Sequence, residues 1–183
     1  MIIPGFLIAL VTFPGVIVHE MAHQLFCRWF HVPIFDVCYF RVGNPSGYVI
    51  HENPRRASQQ IWIGVGPFLV NTVLGALVAF PSAIPVLKFD AGRPLDFLFI
   101  WLGISIAMHA FPSTGDAKSI WKAVGSGQVP WLAKLIAIPV VALIYLGAIG
   151  SVFWLDVLYG AGVALALPNL ITSLARLMAS GGS

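Results

Sequence analysis

The chain has 183 residues, of which 58% are hydrophobic and only 9% are charged, and its formal net charge is +3. A soluble domain carries about 25% charged residues, so this chain has too few polar side chains to cover a surface that faces water. The composition therefore predicts an all-α integral membrane protein, folded as one membrane-embedded domain over residues 1–183. The lipid bilayer is its first expected partner, and no nucleic-acid partner is expected.

Five apolar stretches are interpreted as transmembrane helices, each of which needs about 20 residues to cross a bilayer. Pro4 and the Pro14-Gly15 pair are expected to bend or loosen the first of them. The prediction is a bundle of about five transmembrane helices, in which two additional helices in 130–178 follow a core of about residues 1–120. The five stretches run approximately over residues 2–30, 61–80, 95–111, 131–149 and 152–174.

A segment of different character lies between the first two stretches. From Ile34 to His51, β-branched and aromatic residues alternate on either side of a turn signal at Gly43–Gly47. Two such runs separated by turn residues predict a β-hairpin. We expect this hairpin to be associated with the membrane, directly after the first transmembrane helix.

The basic residues predict an orientation. With five spans, all but two of them fall on one side of the membrane, which the positive-inside rule identifies as the cytoplasmic side. The N-terminus is then outside and the C-terminus is cytoplasmic. The opposite side holds Lys88 and Arg93. The cytoplasmic group comprises Arg28, Arg41, Arg55, Arg56, Lys118, Lys122, Lys134 and Arg176.

The chemical signal is the pentapeptide His19-Glu20-Met21-Ala22-His23. Histidines at positions i and i+4 share one face of a helix, where both imidazoles can bind a single metal ion. The intervening Glu20 is placed to act as a general base on a metal-bound water. Ionisable side chains inside a membrane span are costly, so three of them within five residues indicate function rather than packing.

A catalytic zinc site needs a third protein ligand. Asp116 is the best candidate, because it follows the cytoplasmic end of the third span at a depth similar to that of His19 and His23. Asp36 and Glu52 are on the same side but flank the hairpin. An alternative for Asp116 is a helix-capping role after Gly115.

Three segments together resemble the site-2 proteases, a family of intramembrane zinc metalloproteases. The first is the pentapeptide that ends at His23, and the second is Gly66-Pro67-Phe68-Leu69-Val70-Asn71, which is similar to a Gly-Pro-x-x-Asn element. The third, Phe111-Pro112-Ser113-Thr114-Gly115-Asp116, is similar to the segment that supplies the family's third zinc ligand. The hairpin run Gly47-Tyr48-Val49 also resembles the family's β-hairpin region.

The resemblance implies hydrolysis of peptide bonds in transmembrane protein or peptide substrates. One zinc ion would be held by His19, His23 and Asp116, with Glu20 as the catalytic base. Asn71 would contact substrate backbone or the oxyanion, although a helix–helix hydrogen bond is an alternative. His109 stands where the family has an asparagine, so hydrogen bonding to substrate or oxyanion, metal ligation and plain packing are all open.

Two other functional classes are considered. A zinc-binding membrane protein without proteolytic activity is the first, because His109 and Ala117 depart from the family pattern. A metal transporter is the second, but Asp90 and Asp96 on the outer side have no histidine partners. The loop over residues 81–94 is too short for an inserted regulatory domain. Regulation is therefore expected from the membrane core, from a membrane partner or from a first cut that trims the substrate.

Overall fold

The computed structural model describes residues 5–125 and 131–180, which are mostly helical. The predicted start of the first span at Ile2, and the predicted bend at Pro4, lie outside the described residues. A short 3₁₀ turn, Ser151–Phe153, connects the last two helices. The elements are α1 (Gly5–Val11), α2 (Phe13–Trp29), β1 (Ile34–Cys38), β2 (Tyr48–His51), α3 (Ala57–Phe89), α4 (Pro94–Met108), α5 (Thr114–Gly125), α6 (Trp131–Gly150) and α7 (Leu155–Ser180).

Two helices in the described ranges, α3 and α7, are long and apolar enough to cross a membrane. The α1–α2 pair is apolar enough to count as a third candidate if it is one broken span. Helix α4 has 15 residues, and the apolar part of α6, Ala137–Gly150, is also short for a full crossing. The protein therefore has two to three candidate spans by length and composition, and the count of five stays a prediction.

The predicted bend in the first apolar stretch is confirmed. Helices α1 and α2 meet at an angle of 91°, and Thr12 lies between them. Pro14 occupies the first turn of α2, where its missing N–H leaves no hydrogen bond unmade. The same ring would break the hydrogen-bond ladder of a continuous helix, so the chain begins a new helix instead of extending the old one.

The β-hairpin is also confirmed, from Ile34 to His51 as predicted. Strands β1 and β2 pair antiparallel, with Val37 opposite Val49 and an irregularity near Ile34. The Tyr48 hydroxyl donates a hydrogen bond to Oδ2 of Asp36 at 2.9 Å. This bond and the negative charge of Asp36 raise the pKa of Tyr48.

Small residues bring α3 and α4 into close contact. Gly75 and Ala79 on α3 face Gly103 and Ala107 on α4. A Cβ atom added at Gly75 would lie 2.7 Å from the carbonyl oxygen of Gly103 and 2.9 Å from the backbone nitrogen of Ala107. Small residues four apart on both helices allow two backbones to touch, which is a common way of packing helices in membranes.

Helix α5 is seated by its apolar face. Its buried residues Ala117, Ile120 and Val124 form one cluster with residues of α6, and Ile120 also reaches Gly64 of α3. The opposite face of α5 is exposed. This amphipathic packing fixes the first turn of α5, which carries Asp116, against the rest of the bundle.

We expect Gly75→Ala to destabilise the protein, because overpacking costs about 1–3 kcal/mol while the helix-propensity gain is about 1 kcal/mol. Gly162→Ala on α7 is the matched control, since nothing lies within 4 Å of its added Cβ. Thermal unfolding in detergent, followed by circular dichroism, should show a lower Tm for Gly75→Ala and an unchanged or higher Tm for Gly162→Ala. Equal shifts in the two variants would contradict the close packing of α3 and α4.

Candidate metal centre

The two histidines of α2 present their outer ring nitrogens to each other. Nε2 of His23 lies 3.1 Å from Nε2 of His19 and 3.5 Å from Oδ1 of Asp116. The four-residue spacing on one helix face explains the first distance. The predicted gathering of these three residues is therefore observed, with one ligand atom from each lying within 4.8 Å of the others.

Backbone carbonyls orient both imidazole rings. Nδ1 of His19 lies 2.7 Å from the carbonyl oxygen of His109, and Nδ1 of His23 lies 2.8 Å from that of Ile63. A carbonyl oxygen only accepts hydrogen bonds, so each Nδ1 must carry the proton and donate it. In the neutral rings, both Nε2 atoms are left with lone pairs that point into the cluster.

Asp116 serves the helix and the cluster at the same time. Its Oδ2 accepts hydrogen bonds from the backbone N–H and the hydroxyl of Ser113, both at 2.7 Å. Its own N–H donates back to the Ser113 hydroxyl at 3.2 Å, which completes a capping box at the start of α5. Oδ1 is the oxygen that faces His23. Helix capping occupies Oδ2 and leaves Oδ1 available for a metal ion, so the two roles that the sequence left as alternatives are compatible.

This donor set fits a divalent metal ion. Two imidazole lone pairs 3.1 Å apart repel each other unless a proton or a cation lies between them. Two nitrogens bound to one tetrahedral zinc ion lie about 3.3 Å apart, given Zn–N bonds of about 2.0–2.1 Å. Two neutral imidazoles and one carboxylate would supply three ligands, which would leave one position of a tetrahedral ion open.

Glu20 lies beside this cluster in a cavity of about 660 Å³. Its side chain is buried, with 7% exposed, and follows His19 directly on α2. No hydrogen bond to its carboxylate is found within residues 5–125 and 131–180. The cavity brings together His19, Glu20, His23, Gly47, His109 and Asp116 from four separate parts of the chain.

Asn71 is fully buried between helices. Its Nδ2 lies near three backbone carbonyl oxygens, those of Gly15 (3.2 Å), Ile106 (3.0 Å) and His109 (3.3 Å). Three acceptors around one side-chain nitrogen require that this atom be the amide NH₂. Its contacts match the helix–helix alternative: it joins α3 to the ends of α2 and α4 that carry Gly15 and His109.

His109 contributes both its backbone and its ring. Its carbonyl holds His19 and Asn71, while its ring lines the cavity. Nδ1 of the ring lies 3.0 Å from the carbonyl oxygen of Ser105, so it donates to that oxygen. The neutral ring therefore presents Nε2 as an acceptor, which suits a backbone N–H rather than an oxyanion.

Several groups that hold the side chains of the cluster in place were not predicted from the sequence. The role of Ser113 could have been predicted, because Ser-x-x-Asp is the spacing of a capping box at the start of a helix. The roles of the Ile63 and His109 carbonyls could not, since every residue carries a carbonyl and only the tertiary fold selects these two. Comparison of the chain with protein-family models, with curated proteins and with solved structures finds no match.

Metal binding tests the ligand set. Wild type incubated with zinc and then dialysed should retain one ion per chain, whereas His23→Ala and Asp116→Ala should lose it, because each removes a ligand atom. Asp36→Ala is the control, since this carboxylate lies on the hairpin and accepts a hydrogen bond from Tyr48. Mass spectrometry of the metal gives the stoichiometry. Full retention by Asp116→Ala would move the third ligand elsewhere.

The buried position of Asn71 gives a stability prediction. Asn71→Ala removes an NH₂ group whose two protons are shared among the carbonyls of Gly15, Ile106 and His109, and each lost hydrogen bond costs about 0.5–1.5 kcal/mol. In a chain of this size we expect Tm to fall by about 2–4 °C per kcal/mol in thermal unfolding. Asn169→Ala removes an exposed hydrogen bond that Lys88 donates to Oδ1 of Asn169, and it should lower Tm far less, because water can replace an exposed partner. Similar Tm values for the two variants would argue against Asn71 as an interhelical tie.

Proposed function

We propose that this protein is an intramembrane zinc metalloprotease, similar to the site-2 proteases, that hydrolyses peptide bonds of transmembrane substrates. The observation that carries the proposal is the meeting of His19, His23 and Asp116 in the cavity that also contains Glu20. An ordinary packing role would not align two imidazole lone pairs and a carboxylate oxygen at one point. The apolar helices that surround this cluster support a membrane setting for the chemistry.

Each residue of the cluster has its own part in the proposed reaction. His19, His23 and Asp116 would hold one zinc ion, which when bound supplies Lewis-acid polarisation of the scissile carbonyl and of the attacking water. Glu20 accepts a proton from that water and returns it to the leaving amine as the peptide C–N bond breaks. His109 offers Nε2 as an acceptor for a substrate N–H. Asn71 acts indirectly, by fixing the carbonyl that orients His19.

The proposed topology has five crossings, with the N-terminus outside and the C-terminus in the cytoplasm. The crossings would be α1 with α2, then α3, α4, α6 and α7. Trp29, Trp62 and Trp121 have 69%, 48% and 55% of their surface exposed and lie close in sequence to basic residues. Exposed tryptophans next to arginines and lysines are typical of a cytoplasmic membrane interface. Water would reach the cavity from this side.

The substrate must present an extended backbone to this cavity. A transmembrane helix hides its carbonyls in its own hydrogen bonds, so the segment to be cut has to unwind locally. Unwinding inside lipid exposes unsatisfied polar groups, whereas a cavity with polar walls can satisfy them. We therefore propose cleavage where a substrate helix reaches the polar cavity, not at the apolar centre of the bilayer.

A cleavage assay with Glu20→Gln tests the proposal. The substrates are a labelled single-span helical peptide and a labelled unfolded protein, both in detergent micelles. Removing the general base should lower the rate at least 100-fold, because general-base catalysis contributes about 10²–10⁴-fold. Zinc content should stay at the wild-type level, since Glu20 is not a ligand.

A zinc chelator should abolish the wild-type activity, and added zinc should restore it. Equal product from wild type and Glu20→Gln would sink the protease proposal and favour a zinc-binding protein without proteolytic activity. Uptake of zinc into vesicles by wild type would instead favour a transporter.

A further inference from the structure

Gly47, in the loop of the β-hairpin, lies against the side chain of Glu20. Gly47 is buried and immediately precedes β2. A Cβ atom added there would lie 2.7 Å from Cγ of Glu20 and 2.9 Å from its Oε1. It would also lie 3.1 Å from the carbonyl oxygen of Cys38. Since ordinary contacts of a Cβ begin near 3.4 Å, a larger residue here would force the flexible Glu20 side chain to move and would press on the Cys38 carbonyl.

The loop that carries Gly47 is held in place by Arg41. The Arg41 backbone N–H donates to the carbonyl of Ser46 at 2.7 Å, and its Nε donates to that of Pro45 at 2.9 Å. Its guanidinium group also lies over the ring of Tyr48, 5.2 Å from the centroid. Arg41 thus contacts residues on both sides of Gly47. These contacts hold the Gly47 backbone in place as one wall of the cavity, which is called the Gly47 wall below.

Packing is what fixes the position of Glu20. Its carboxylate has no hydrogen bond to any residue in the described ranges 5–125 and 131–180, and only 7% of its surface is exposed. A side chain with several rotatable bonds and no hydrogen bond would otherwise sample several rotamers. The Gly47 wall lies against Cγ and Oε1, the atoms that decide where the carboxylate points.

We propose that Gly47 is a positioning residue for Glu20, so that the seating of the hairpin determines whether the carboxylate is placed for catalysis. This inference rests on the proposed role of Glu20 as the proton acceptor. It adds a consequence for regulation, because a substrate or membrane partner that displaces the hairpin would also release Glu20. The hairpin is then a part of the catalytic apparatus as well as a wall of the cavity.

The matched pair Gly47→Ala and Gly43→Ala tests this proposal. Both glycines lie in the same loop, but nothing lies within 4 Å of a Cβ added at Gly43. With the labelled single-span peptide, Gly47→Ala should lower kcat about 10- to 100-fold, since a displacement of about 1 Å can cost 10²-fold. KM should stay within about twofold, and zinc content should be unchanged. Gly43→Ala should behave as wild type.

A double-substitution cycle measures the contact without any activity. Gly47→Ala should lower Tm in the wild-type background by about 2–4 °C for each kcal/mol of overpacking. In a Glu20→Ala background, where Cγ and the carboxylate are gone, the same substitution should lower Tm by less, since only the 3.1 Å approach of the added Cβ to the carbonyl oxygen of Cys38 remains. If Gly47→Ala alone fails to fold, recovery of folding by Glu20→Ala supports the contact.

The outcomes separate this inference from the proposed function. If Glu20→Gln is inactive while Gly47→Ala cleaves like Gly43→Ala, the positioning role is overturned and the protease proposal stands. If wild type and Glu20→Gln cleave equally, the protease proposal fails and so does the catalytic part of this inference. Equal Tm losses for Gly47→Ala in both backgrounds would overturn the contact itself.

Discussion

The carbonyl oxygen of His109, just past the C-terminal end of α4, accepts hydrogen bonds from the His19 ring at 2.7 Å and from the Asn71 amide at 3.3 Å. Because the last carbonyls of a helix have no partner within the helix, they are free to bind groups from other elements. Here that free carbonyl sets the tautomer of His19, and the tautomer aims Nε2 at His23. Without this bond, the lone pair on Nε2 of His19 would not be fixed toward the cluster.

That carbonyl is in place only because α4 packs closely against its neighbours. Gly75 and Gly103 let α3 and α4 touch backbone to backbone, and Gly15 brings α2 against Ser105. A larger side chain at any of these crossings would move the end of α4 away from His19. The small residues thus set the position of the C-terminal end of α4, and with it the position of the His109 carbonyl beside His19.

Two further elements, α5 and the hairpin loop, complete the cavity. Helix α5 brings Asp116 to the histidines, because its apolar face is buried against α3 and α6. The hairpin brings Gly47 to Glu20 from the other side. The carboxylate of Asp116 and the close contact with Glu20 are therefore supplied by two separate segments of the chain.

The sequence by itself determined the features that depend on residues close together in the chain. The composition implied a membrane protein, the alternating residues predicted the hairpin from Ile34 to His51, and Pro14 predicted the bend after α1. The histidine pair followed from helix periodicity alone, because residues four apart always share a face. Asp116 was found by its depth in the predicted bundle, which the charge pattern made possible.

Contacts between distant segments were decided only by the tertiary structure. The resemblance to the site-2 proteases implied that Asn71 and His109 belong to the site, but the sequence could not tell that Asn71 faces three carbonyls or that the His109 ring donates from Nδ1. In the sequence, Gly47 is an ordinary turn residue. In the fold, a Cβ atom added to it would lie 2.7 Å from Cγ of Glu20. The physical reason is that hydrogen-bond partners and close approaches depend on where separate helices meet, and residue spacing carries no information on that.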